Sequence, residues 1–141
     1  MREARNIVPV FGEGIIRSSL PFSPAVRAGD FVFLSGVASM REDGRIWHDT
    51  FENEARRTYQ TIGRVLSAAK LNFSDVVQVR CYLARQADWD AHNIIYREFF
   101  SEPYPARTTL VGCLGDLVKY EVDLVAYAGE ARRPETQPKA I

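Results

Sequence analysis

Several common catalytic signatures are missing from this chain: it has no GxSxG elbow, no GxxxxGK[ST] loop, no HExxH pair and no CxxC. Nothing in it therefore points to an elbow-type serine hydrolase, a P-loop nucleotide site, a zincin or a dithiol centre. Cysteine is scarce. The two present, Cys81 and Cys113, lie in apolar strand-like stretches and are expected to be packed, reduced thiols. The two histidines, His48 and His92, are far apart and lack metal-ligand spacing, so both read as structural or solvent-facing and no metal site is expected. An excess of either charge is also lacking, since 18 basic side chains balance 18 acidic ones and no basic stripe is interleaved with aromatics. Nucleic acid is thus not an expected partner, because phosphate binding needs concentrated positive charge, and little repulsion opposes self-association. No apolar run is long enough to cross a bilayer, so no membrane role is expected. The opening MREARNIVPV has neither the basic-then-apolar order nor the cleavage site of a secretory signal, which leads to an expected cytoplasmic location.

What is there fits one globular domain. A chain of 141 residues with 46% hydrophobic and 26% charged residues can bury a modest core without staples. Residues 1–20 read as an arm with one short strand, 21–128 as the core and 129–141 as a polar, mobile tail. Ala25 to Arg27 and the buried run Phe31 to Leu34 flank the Ala28-Gly29-Asp30 turn, a hairpin pattern. Met40 to Asp49, with Glu42-Asp43-Gly44, reads as a surface loop. Ala55, Tyr59, Ile62, Leu66 and Ala69 recur at steps of four and three, the spacing of one helix face, and Asn72 with Ser74-Asp75 marks the way out.

Val76 to Leu83 predicts a half-buried strand with Val77, Val79 and Cys81 on one face and Gln78, Arg80 and Tyr82 on the other. Asp88 is a candidate N-cap for a second helix, Trp89 to Phe100, striped by Trp89, His92 or Asn93, Tyr96 and Phe99-Phe100, which Pro103 and Pro105 prevent from continuing. Two strands follow, Arg107 to Val111 and Lys119 to Tyr127. The order predicts an α+β layer: one amphipathic sheet with two helices on one face. Large side chains on both faces of the strands predict that a second copy closes part of the other face.

Few residues stand out as chemistry. Arg107 opens a strand after Pro105-Ala106, where its planar fork could clamp a carboxylate through two parallel bonds; the alternative is an ion pair with a neighbouring acid. Glu121 lies among apolar strand neighbours, a setting that raises a carboxyl pKa toward proton transfer, although a strand-edge salt bridge would use the same residue. Ser35-Gly36 could present a hydroxyl and a close backbone approach to a ligand, or be a plain turn.

The blocks FSPAVRAGDFVFLSG, VLSAAKLNFSDVVQVRCYL, NIIYREFF, PARTTL and YEVDLVAYA, in that order from about Pro21 to Ala128, resemble the YjgF-type reactive intermediate deaminase (Rid) family. The resemblance implies a chorismate-mutase-like (bacillus type) fold, a homotrimer with its sheets in a central barrel-like core, and clefts between subunits. It also implies hydrolysis of short-lived 2-imino or enamine acids to 2-keto acids and ammonia, with a small carboxylate-bearing substrate and no cofactor. In matching positions Arg107 would hold the carboxylate and Glu121 would place or activate water. Ser35, Gly36 and Asn93 would line or brace the cleft, and Thr109 would turn its backbone to the ligand.

Three features depart from the family pattern. Phe22 replaces the usual Tyr of the early loop, Val37 replaces the common Gln after Ser35-Gly36, and the loop reading Leu114-Gly115-Asp116 is one residue short, which could shift Glu121 relative to Arg107. They keep open a non-catalytic keto-acid binder or regulator on the same scaffold. A 2-aminomuconate-type deaminase and, ranked last, a ribonuclease are further readings.

Overall fold

The computed structural model describes residues 6–130. Six strands and two helices alternate along the chain as β1 (Ile7–Val10), β2 (Ala25–Ala28), β3 (Phe31–Ala38), α1 (Phe51–Ala68), β4 (Val76–Leu83), α2 (Trp89–Phe99), β5 (Ala106–Val111) and β6 (Tyr120–Tyr127). They form one sheet in the order β1-β2-β3-β6-β4-β5. Every pairing is antiparallel except β4 with β5, which α2 connects as a parallel crossover. This mixed sheet with two helices is the α+β layer the element order predicts. The short strand expected in the arm is β1, while the tail from 131 onward lies outside the described residues.

The helices cover one sheet face because their apolar spacing fits that face. In α1 Ala55, Tyr59, Ile62 and Leu66 are all fully buried, and Thr50 caps its start by accepting a hydrogen bond from Asn53 N at 3.3 Å. They meet Val32 and Leu34 of β3, Val79, Cys81 and Leu83 of β4, and Val122, Leu124 and Ala126 of β6. Tyr59 is central: its ring stacks on Phe99 and meets Phe73, Tyr96, Phe100 and Tyr120 edge-on. Burying such a ring is worth about 1.5–3 kcal/mol, and each aromatic pair adds roughly 0.5–1.5.

Four expectations need correction. Phe31 and Phe33, expected buried, alternate onto the opposite face and are 42% and 47% exposed, whereas Val32 and Leu34 point inward. A register shift between Val76 and Gln78 puts Val76 in the core and leaves Val77 out, because one irregular residue reverses the parity of what precedes it. Cys113 is exposed in the loop after β5, which leaves the sheet at Gly112 (φ 91°); only Cys81 is a packed thiol. Asp88 does not cap α2 with its side chain, for it already ends the 3-10 turn Gln86–Asp88 and its carboxylate faces Arg85 at 3.4 Å.

One polar contact ties α1 to the strand that carries Glu121. The Glu54 carboxylate has no solvent exposure and accepts hydrogen bonds from Asp49 N, Lys119 N and Lys119 Nζ, each at 3.1 Å. Removing the cation leaves a buried charge served only by two backbone donors. Lys119→Met is therefore expected to lower unfolding free energy by about 2 kcal/mol, short of the ~3–5 for a fully orphaned buried ion. Urea denaturation of parent and variant measures it.

Candidate functional site

Arg107 sits on β5, the sheet's edge strand, in register with Val79 of β4, whose side chain is buried under the helices. Its guanidinium reaches α2. There Nη2 donates to Asn93 Oδ1 at 2.8 Å, and the guanidinium carbon lies 4.6 Å from the centre of the Tyr96 ring. Among the described residues it has no acidic partner, so the salt-bridge alternative does not hold. A guanidinium has five N–H donors, and the bond to Asn93 leaves enough of them for a bidentate carboxylate. The group opens onto a cavity of about 220 Å³ lined by Asn93, Tyr96, Arg97, Tyr104, Pro105 and Arg107. Asn93 thus braces the cation.

Glu121 lies two strands away. It pairs with Tyr82 of β4 and Ala38 of β3, and a Cβ built on Gly36 would collide with its carboxylate oxygen. Only glycine admits that approach, which is the physical use of Gly36 in the β3 bulge between Leu34 and Val37. Burial first, and the neighbouring Asp123 carboxylate second, raise the Glu121 pKa above the ordinary carboxyl value. Asp123 is itself held by Arg80 Nε and the Tyr82 hydroxyl, each donating at 2.7 Å.

Phe22, Ser35 and Gly36 come together with Val37 around an apolar cavity of about 110 Å³, bounded by Leu20, Met40 and Val65. The Ser35 hydroxyl donates to Ser23 O at 2.6 Å, pinning the bulge to the segment before β2. Its proton is spent, and toward a ligand Ser35 retains lone pairs only.

Three groups of expected site residues therefore exist: Arg107 with Asn93 and Thr109, Glu121 with Gly36, and Phe22 with Ser35 and Gly36. Arg107 shares a face with Val79, and Glu121 shares the other with Tyr82, so the two key side chains leave opposite faces of the sheet. Strand spacing of ~4.8 Å and a rise of ~3.3 Å per residue put their Cα positions roughly 14 Å apart. A single chain does not bring them together.

Residue spacing missed a buried polar network. His92 has no solvent exposure; its Nδ1 is 2.8 Å from Tyr120 Oη and its Nε2 is 3.4 Å from Thr109 Oγ1. Tyr120 Oη is in turn 2.5 Å from Tyr59 Oη. Thr109 accordingly turns its side chain to the helix side. The stripe of α2 left His92 and Asn93 undecided; the structure uses both, His92 inward and Asn93 at the rim. The described residues contain no cluster of His, Cys, Asp and Glu that could hold a metal ion, and no helix long and apolar enough to cross a membrane.

The mixed sheet, the two helices on one face and an edge-strand arginine with no acidic partner among the described residues define an α+β protein with an anion-competent sheet edge. Comparisons place it further. Residues 15–128 match the family model described as Endoribonuclease L-PSP, and the chain belongs to that family, the YjgF/Rid family. It is 34% identical over 108 residues to Reactive Intermediate Deaminase A, chloroplastic, of Arabidopsis thaliana, covering 75% of this chain but only 58% of that longer one. It is 30% identical over 111 residues to the 2-iminobutanoate/2-iminopropanoate deaminase of Homo sapiens, covering 77% and 81% of the two chains. The crystal structure of yeast YEO7 superposes with a TM-score of 0.80 at 26% identity, over 88% of this chain and all of that one.

The raised Glu121 pKa carries a stability consequence of fixed sign. Because the folded state holds that proton more tightly than the unfolded state does, it binds more protons as pH passes through the carboxyl range, and stability falls as pH rises there. Glu121→Gln, which cannot ionise, is expected to gain stability relative to the parent as pH rises through and above the ordinary carboxyl range. Thermal denaturation across that range tests it; a constant difference at every pH contradicts the shift.

Proposed function

We propose that this chain is an imine/enamine deaminase that hydrolyses a reactive 2-imino or enamine acid to the 2-keto acid and ammonia. The observation that carries the reading is Arg107, unpaired by any described acid and held by Asn93 and Tyr96 at a cavity mouth. The deaminase names of the Arabidopsis and human relatives favour the same chemistry. An imine carbon is already electrophilic. The protein has to fix the carboxylate, deliver water to that carbon and let ammonia leave with the nitrogen, which is positioning and proton transfer and requires no cofactor. Glu121, with its raised pKa, suits the exchange of protons with that water.

Since Arg107 and Glu121 leave opposite faces, the site is proposed to form between copies in a homotrimer of the chorismate-mutase-like kind. The exposed Phe31, Phe33 and Leu110 and the zero net charge favour such packing of the open faces. A neutral surface on which Arg45, Arg56, Arg80 and Arg85 pair with acids offers little to RNA, so the ribonuclease reading stays last. The apolar Phe22 and Val37 beside Ser35 favour the second reading, a keto-acid binder without turnover.

Ammonia release from freshly generated 2-iminopropanoate and 2-iminobutanoate, followed with sedimentation of the same sample, tests the proposal. Loss of two charge-assisted hydrogen bonds of about 1.5–3 kcal/mol each predicts that Arg107→Ala lowers kcat/KM by roughly 10²–10⁴-fold. Arg107→Lys, keeping charge without the fork, is expected to fall between. A stable monomer, or a parent that leaves the spontaneous rate of these imines and of 2-aminomuconate unchanged, ends the deaminase reading. Tight 2-keto acid binding without turnover selects the binder instead.

A further inference from the structure

The chain His92–Tyr120–Tyr59 is fully buried, yet it ends at Thr109, one pleat along the edge strand from Arg107. Residues two apart on a strand share a face and lie ~6.6 Å apart, a spacing that a short-chain acid held by Arg107 can span. Burial first, and the Arg107 charge second, push the His92 pKa down to about 4, so the imidazole is neutral at ordinary pH. A neutral imidazole has one donor and one acceptor nitrogen, and its neighbours decide which is which.

Here the neighbours choose. Phenol O–H is a stronger donor than imidazole N–H, and imidazole nitrogen a stronger acceptor than phenol oxygen, so at 2.8 Å Tyr120 donates to Nδ1. Tyr59 then donates to Tyr120 Oη at 2.5 Å, and the buried hydroxyls stay protonated because burial raises both tyrosine pKa values. With Nδ1 accepting, the proton must reside on Nε2, which faces Thr109 Oγ1 at 3.4 Å. The Cys81 thiol, 3.8 Å from Tyr59 Oη, completes this direction as a weak donor to that oxygen, and the proton then left unassigned is that of the Thr109 hydroxyl.

We propose that His92 is a positioning residue: it donates Nε2–H to Thr109 Oγ1 and so leaves the Thr109 hydroxyl proton free to bond an acceptor on the small acid that Arg107 holds. This rests on the reading of Arg107 as an anion clamp, and it deepens that reading by making Thr109 a second contact whose donor role is dictated from the core. Thr109 selects for acids with a hydrogen-bond acceptor beside the carboxylate, such as an imine nitrogen or a keto oxygen. An amino acid, whose ammonium in that position is a donor only, is selected against. The 3.4 Å between His92 Nε2 and Thr109 Oγ1 is expected to shorten when a ligand accepts from the Thr109 hydroxyl.

The test is a double-mutant cycle read by binding as well as turnover. Affinity for 2-oxobutanoate, which cannot react, and KM and kcat for 2-iminobutanoate are measured in the parent, Thr109→Val, His92→Leu and the double variant. Each single change is expected to weaken 2-oxobutanoate binding and raise KM about tenfold, the worth of one hydrogen bond, and the double variant to be no worse than about tenfold. Thr109→Ser restores the parent affinity. ¹⁵N NMR of the unmodified protein reads the tautomer directly, with Nε2 protonated, Nδ1 bare and no titration above pH 5, and does not depend on whether His92→Leu folds. A hundredfold, additive loss, an unchanged affinity in Thr109→Val, or a proton on Nδ1 overturns the proposal. A parent that binds 2-oxobutanoate with this pattern but shows no turnover removes the deaminase and leaves the Thr109 assignment standing; a parent that binds nothing removes both.

Discussion

Strand parity at β4 governs where every chemically interesting side chain goes. In β4 Val79 and Cys81 face the helices and Arg80 and Tyr82 face away, and the registers on its two sides copy that alternation outward. Through β5 it sends Arg107 and Thr109 toward α2. Through β6 it sends Glu121 and Asp123 to the open face. A one-residue slip would exchange the two sets and bury two carboxylates under the helices, where their charges would be far from water. The same alternation that builds the core therefore divides the candidate site between the two faces of the sheet.

Helix α2 gives the inner half its order. His92, Asn93 and Tyr96 occupy consecutive positions around one side of the helix, and each meets β5 or β6 differently: a buried hydrogen bond, a rim hydrogen bond and a ring face under a cation. Spacing of one, three and four residues puts them on a single stripe, so the helix that packs the core also holds the edge arginine extended. The Tyr96 hydroxyl is buried without a hydrogen-bond partner among the described residues, a local cost that the stacking of its ring on Phe100 and the Arg107 contact offset.

Much of this was legible in the sequence for simple reasons. The 3.6-residue spacing of Ala55, Tyr59, Ile62 and Leu66 and the alternation Tyr120, Val122, Leu124, Ala126 are strong periodic signals, and both elements lie where they predict. The Gly29-Asp30 turn between apolar runs is a local signal and forms the β2–β3 hairpin. Val77 and Cys113 were misread because a bulge and a chain exit are each set by one residue's backbone, against which composition carries no warning. For the site, the Pro105-Ala106 lead-in marked Arg107 as the opening of a strand, and it lies at the start of β5. The role of His92 was not legible, since its two partners lie 17 and 28 residues away and meet it only once α2 crosses the sheet.

The outer half shows the same logic in electrostatic form. Glu121 owes its raised pKa partly to Asp123, and Asp123 is kept in place by the Arg80 guanidinium and the Tyr82 hydroxyl, whose own pKa rises to about 12 because it donates to that carboxylate. Arg80 pairs with Asp123 at 2.7 Å, so its charge is directed at that carboxylate rather than at Glu121. Had the cation lain against Glu121 instead, its charge would favour the ionised carboxyl and oppose the upward shift. Gly36 completes the arrangement by letting backbone crowd the carboxylate where any side chain would displace it, which adds to the burial that dominates the shift. Arg80 and Tyr82 thus fix the charge that, after burial, pushes the Glu121 pKa up. That arrangement requires only the alternation of β6 and the register it shares with β4.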